Sequence, residues 1–183
     1  MGLKYFFKKW ISLLFSFPYQ WRKIKKERNS EYLWFIFYES LFCGIAFFLG
    51  ALWTTMFDLN VSLWLLRAVN FSFVLFVYVI FLAKMFRIFS DYNSLEINGK
   101  LSERLIAYVS SFYFFSFFLG ALLSPENYFF IVFVFSFFAS FYFYRILYKY
   151  YKKKIFSFLF SFSLFFIYII YYFFTLNFLA QIK

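Results

Sequence analysis

The chain has 183 residues, of which 65% are apolar and 33% aromatic, and its formal net charge is +11. A soluble domain of this size cannot hide so much apolar surface, so the composition excludes a water-soluble globule and calls for a lipid environment. With no histidine, Ser-His-Asp and Cys-His arrangements and histidine-built zinc or haem sites are excluded, and Cys43, the single cysteine, cannot form an internal disulfide.

From the N-terminus, Lys4, Lys8, Lys9, Ser12 and Ser16 fall on one face of a helical wheel. Leu3, Phe6, Phe7, Trp10, Leu13, Leu14 and Phe17 fall on the other. This pattern predicts an amphipathic helix lying along the cytoplasmic leaflet until Pro18 stops it. Beyond Pro18, basic residues crowd beside Trp21 and Ile24. The side chains expected at the lipid surface are Lys4, Lys8, Lys9, Trp10, Trp21, Arg22, Lys23, Lys25 and Lys26. Residues 1–31 thus read as a cytoplasmic segment and 32–183 as a transmembrane domain.

Five apolar runs follow, at about residues 32–56, 63–89, 105–123, 128–147 and 155–179. Each is long enough to cross a hydrocarbon core of about 30 Å. Backbone amides cannot stay unpaired in lipid and no alternating barrel pattern is present, so each run is read as a helix. The fold class is all-α: an integral membrane bundle of five transmembrane helices preceded by an amphipathic interfacial helix. Ser124, Pro125 and Glu126 carry the start signals of the fourth span, and Asn29, Ser30 and Glu31 those of the first. Trp34, Trp53 and Trp64 mark the ends of spans one and two, where amphipathic rings prefer to sit.

Apart from Arg67 and Lys183, every Lys and Arg falls in the N-terminal segment, around the second connection or in the fourth. The positive-inside rule then places the N-terminus inside and the C-terminus outside.

Within the spans, Glu39 sits roughly 10 Å from the cytoplasmic end at 1.5 Å per residue. An unpaired charge near mid-bilayer costs on the order of 3 kcal/mol. Either Glu39 pairs with Lys84 or stays protonated as a structural group, or it is a proton or cation site. Asn70 and Asn177 are expected to hydrogen-bond between helices, and Arg67 to reach the outer surface, toward Asp58. Gly44, Gly50 and Gly120 are candidate close-packing positions, the last two within Ala46-x-x-x-Gly50 and Ser116-x-x-x-Gly120. The string FFLGAL recurs at 47–52 and 117–122, either as a trace of duplication or as a coincidence in a Phe- and Leu-rich chain. The polar loop 90–103 is either a solvated turn or a partner surface shared with the N-terminal segment. No cofactor, metal or nucleic-acid site is expected, because the basic residues follow membrane topology rather than lining a groove.

Several local features, in order, resemble the Yip family of small multi-pass membrane proteins, named for interaction with Ypt/Rab GTPases. Pro18, Trp21, Ile24 and Glu27 resemble the P-x-x-W-x-x-I-x-x-E segment before span one. Gly99, Leu105 and Ala107-Tyr108-Val109-Ser110 resemble the glycine-then-"AYS" entry into span three, although Ser111-Phe112-Tyr113 stands where a proline is usual. Phe141-Tyr142-Phe143-Tyr144 through Leu147 resembles the tyrosine-rich end of span four. The resemblance implies a small bacterial-type member in the cytoplasmic membrane, without catalytic residues. The function expected is a non-enzymatic scaffold or adaptor contacting anionic lipid and a cytoplasmic protein partner or a second copy. The alternative is a small transporter or channel component using Glu39.

Overall fold

The structure, a computed structural model, describes residues 2–24, 26, 29–54, 61–92, 99–123 and 125–151, with 157, 161–163, 165–167, 169 and 170. Its long helices are α1 (Leu3–Ile24), α2 (Asn29–Thr54), α3 (Val61–Tyr92), α4 (Gly99–Leu123) and α5 (Pro125–Tyr151). The described residues are helical almost throughout and contain no strand. Among the described residues, three helices are long and apolar enough to cross a membrane: α2 over Glu31–Leu52, α3 over Val61–Asp91 and α5 over Phe130–Lys149. Of the run expected at 155–179, the described residues are helical. They lie near α3 and α5, where Tyr78 donates to the Ile167 carbonyl at 3.4 Å and the Phe133 and Phe165 rings meet edge to face at 5.3 Å.

α4 is the hub. It packs against α1, α2, α3 and α5, and from Ser102 to Phe114 every side chain is buried. A helix buried on all sides must also satisfy its polar side chains locally. Ser110 and Ser116 do so by donating back to the Ile106 and Tyr113 carbonyls at 2.8 and 2.6 Å. The outer helices turn large apolar side chains outward instead. Leu66, Val69, Phe73, Phe81 and Ile88 of α3 and Phe130, Phe137 and Phe141 of α5 are all exposed. In water such a surface would drive aggregation, whereas in a bilayer it faces acyl chains.

α1 departs from the expectation of a helix lying flat on a leaflet. Phe6, Trp10, Leu13, Phe17, Trp21 and Ile24 form a buried stripe at helical spacing. Their partners are in the middle of the bundle. Phe6 meets Phe35, Tyr38 and Phe42 of α2 at 5.3 to 5.5 Å, and Trp10 meets Phe115 and Phe118 of α4 edge to face at 5.7 Å. Phe17 meets Phe112 of α4 and Tyr142 of α5. Each such ring pair contributes about 0.5–1.5 kcal/mol beyond its area. An amphipathic pattern specifies which face is buried but not whether lipid or protein buries it, and here the aromatic stripe finds aromatic surface. Pro18 does not end the helix. The chain takes non-helical angles at Ser16 (φ −140°, ψ 38°) and resumes to Ile24, as a kink relieves the clash of a proline ring with the preceding turn.

α2 and α3 approach closely at Gly44, where a Cβ would lie 2.8 Å from the Ala68 carbonyl oxygen and would overlap Ser72. Gly50 and Gly120 are also buried. Asn70 faces outward from α3 rather than bridging helices, Asn177 and Asp58 lie outside the described residues, and the Arg67 guanidinium covers the Trp64 ring at 4.7 Å. Because Gly44 has no room to grow, Gly44→Leu is expected to push α2 and α3 apart at a cost of about 1–3 kcal/mol. Thermal unfolding in detergent micelles reads this as a lowered Tm, with Gly2→Leu, in open space, leaving Tm unchanged.

Candidate functional site

Two polar clusters stand out, one at an end of the helices and one inside. At the end, Glu103 sits one turn into α4 with its side chain 5% exposed. Its Oε1 accepts from Lys84 Nζ at 2.8 Å and from Arg87 at 3.1 Å, both on α3. Its Oε2 accepts from the Tyr32 hydroxyl on α2 at 2.8 Å. Arg87 also pairs with Asp91 one turn on, at 3.7 Å. One carboxylate thus ties three helices together. Next to it, Arg104 reaches the Ile24 carbonyl at the end of α1 at 3.5 Å.

The pairing expected between Glu39 and Lys84 is therefore not the one formed. Lys84 and Arg87 are one helical turn apart at the end of α3, level with the start of α4, so Glu103 takes both. Glu39 lies further along α2 and faces α1 and α4. It is fully buried, and neither carboxyl oxygen has a hydrogen-bond partner among the described residues. The polar side chains facing it are Ser111 of α4 and Lys9 of α1. Lys9, expected at the lipid surface, is 7% exposed. Its ammonium donates to the Tyr108 hydroxyl at 2.7 Å and lies 5.3 Å from the Phe35 ring centroid. A cation removed from water needs such donor-acceptor and ring contacts to persist. One turn beyond Glu39, the buried Cys43 thiol donates to the Phe114 carbonyl at 3.1 Å.

The remaining lipid-surface expectations divide. Lys4, Lys8, Arg22, Lys23 and Lys26 are exposed, whereas Trp10 and Trp21 are core residues at 3% and 5% exposure. Lys25 lies outside the described residues. Sequence reasoning noticed the cations Lys84 and Arg87 but passed over Glu103. The signal available was an acid just before an apolar run, on the side where basic residues collect. Among the described residues, no group of three or more His, Cys, Asp or Glu side chains is placed to hold a metal ion.

The Glu103 cluster stands just outside the apolar run of α4, and its titration has a definite sign. Burial pushes the Glu103 carboxyl up, but hydrogen bonds from Lys84, Tyr32 and Arg87 outweigh it and hold the group below its ordinary value. A depressed carboxyl contributes stability that is complete above the ordinary glutamate range of about 4.3 and is lost as pH falls through the lower folded value. Lys84 and Arg87 are 53% and 41% exposed, so both can be solvated once the carboxylate is gone. The cost of Glu103→Gln is then about 1–2 kcal/mol rather than the 3–5 of breaking a wholly buried pair. Melting curves from pH 7 to pH 3 should show the wild type losing Tm on the acid side. Glu103→Gln should start lower and vary less.

No family model matches the chain, and no curated protein and no solved structure shows significant similarity to it.

Proposed function

We propose that this chain is a non-enzymatic, multi-pass membrane protein that acts as a scaffold or adaptor at the cytoplasmic face of a membrane. The observation that carries the reading is where its charges lie. Exposed cations gather at the end where α1, α3 and α5 finish and α4 begins: Arg22, Lys23, Lys26, Lys84, Lys100, Arg145 and Lys149. Of the acids described there, Glu103 and Asp91 are engaged with α3 cations, and Glu31 lies in the first turn of α2. Cations outnumber acids at this end, giving a basic rim able to hold anionic lipid or an acidic protein surface at about 1 kcal/mol per cation near the leaflet. The resemblance to the Yip family fits this role, and a bacterial cytoplasmic membrane is the setting it favours.

The rim also supports the finer architecture. α4 is enclosed by α2, α3 and α5, so if those three cross the bilayer, α4 lies at the same depth. With the run at 155–179 this gives five spans, the N-terminus inside and the C-terminus outside. Cys43 is buried, so a cysteine introduced at the surface is the reactive one. Lys23→Cys and Lys100→Cys should react with a membrane-impermeant maleimide only from the cytoplasmic side, and Ser62→Cys only from the other. Labelling of Lys23→Cys and Ser62→Cys from the same side would overturn the topology.

A second reading rests on Glu39, whose carboxyl is buried without a hydrogen-bond partner among the described residues, the kind of group that holds a proton or small cation within a membrane. Flux into proteoliposomes separates the two. The scaffold reading expects identical flux for wild type and Glu39→Gln; proton or cation movement present in the wild type and lost in Glu39→Gln would establish the transporter reading instead.

A further inference from the structure

Between the second half of α1 and the last turns of α5 lies a cavity of about 220 Å³. Arg22 enters its wall from α1, and Arg145 and Lys149 enter from α5, with Trp21, Pro18 and Ile146 beside them. No carboxylate is among its described lining residues. Three cations are thus drawn together with no acid beside them among the described residues, an arrangement that favours an anion. Trp21, 5% exposed, backs the cavity as a rigid apolar wall.

The surroundings indicate what kind of anion fits. On α1, Ile11, Phe15 and Tyr19 run down the exposed face at i, i+4 and i+8 and lead to Arg22. On α5, Phe138 and Phe141 are exposed and lead to Arg145 and Lys149. Two apolar tracks therefore end at one basic cavity. A molecule with acyl chains and a negatively charged head matches both parts, and basic pockets between membrane helices hold phospholipid heads in this way. At about 30 Å³ per water, the cavity has the room of roughly seven waters, enough for a phosphodiester.

We propose that this cavity is a specific site for the phosphate of an anionic glycerophospholipid, whose acyl chains lie along the exposed faces of α1 and α5. Arg22, Arg145 and Lys149 supply charge and hydrogen-bond donors to the phosphate oxygens. The site rests on reading the chain as a membrane scaffold with a lipid-binding rim, and it names where and what that rim binds.

The test uses the full chain in dodecyl maltoside micelles, titrated with dioleoyl phosphatidylglycerol or dioleoyl phosphatidylcholine and read by native mass spectrometry. The expected result is one tightly retained phosphatidylglycerol and no equivalent phosphatidylcholine. At a factor of about 5 per cation, Arg22→Gln/Arg145→Gln/Lys149→Gln should weaken retention about 100-fold. Lys4→Gln/Lys8→Gln/Arg67→Gln, which removes equal charge elsewhere, should leave it unchanged. Arg145→Gln alone, on the exposed face of α5, guards against a misfolded triple variant and should weaken binding about 5-fold. Equal retention of the two lipids, or equal losses in the two triple variants, would overturn the proposal. Displacement of the lipid by millimolar inorganic phosphate would assign the cavity to a free anion and overturn it as a lipid site. Micelles have no sides, so failure of this site and failure of the cytoplasmic topology are separate results.

Discussion

Glu103 is the point on which the end of the bundle turns. Helices in a bilayer gain little from hiding apolar surface, since acyl chains are as apolar as leucine, so their relative positions rest on close packing and on polar ties. A carboxylate that receives two donors from α3 and one from α2 fixes rotation and depth at once for three helices. It does this where the chain emerges from its apolar run, so Lys84 and Arg87 keep part of their hydration while making the bond. Placed a few turns deeper, the same triad would bear the full desolvation of three charges. The rest of the packing builds outward from α4, which Glu103 begins.

α1 shows the same economy inside the bundle. Its buried stripe is apolar except for Lys9, and this one ammonium is directed to a phenol, Tyr108, with Phe35 nearby. A lysine in such a place gives the interface direction as well as adhesion. Rings alone would let α1 rotate or slide against α2 and α4, whereas a charge with one acceptable environment selects a register. Beyond the kink at Ser16, the second half of the helix lies against both α4 and α5 through Phe17, and Arg22 lines the same cavity as Arg145 and Lys149.

What could be read from the sequence follows from which forces act locally. Apolar run length and the rule that lipid tolerates only paired backbone made α2, α3 and α5 legible as helices able to span. Gly44 stood out because a small residue in an apolar helix invites close approach. The docking of α1 was not legible, since a wheel with one apolar face reads the same whether that face meets acyl chains or rings. Pro18 was read as a stop because its local penalty is large, yet tertiary contacts from Phe17, Trp21 and Ile24 carry the helix past it. The partner of Lys84 was misassigned for a related reason. Glu39 is the acid that looks out of place in an apolar string, whereas Glu103 looks ordinary beside Ser102 and Arg104, and only the level of α4 against α3 reveals which acid is in reach.

Cys43 has a property that none of these roles requires. Its thiol is enclosed where α2 crosses α4 and is bonded to a backbone carbonyl of the partner helix. No alkylating reagent reaches it while the two helices are together. Its modification rate in mild reagent therefore equals the fraction of time for which α2 and α4 are parted, multiplied by the intrinsic reactivity of a free thiol. The chain carries its own clock for the opening of its core, wound by a single sulfur atom.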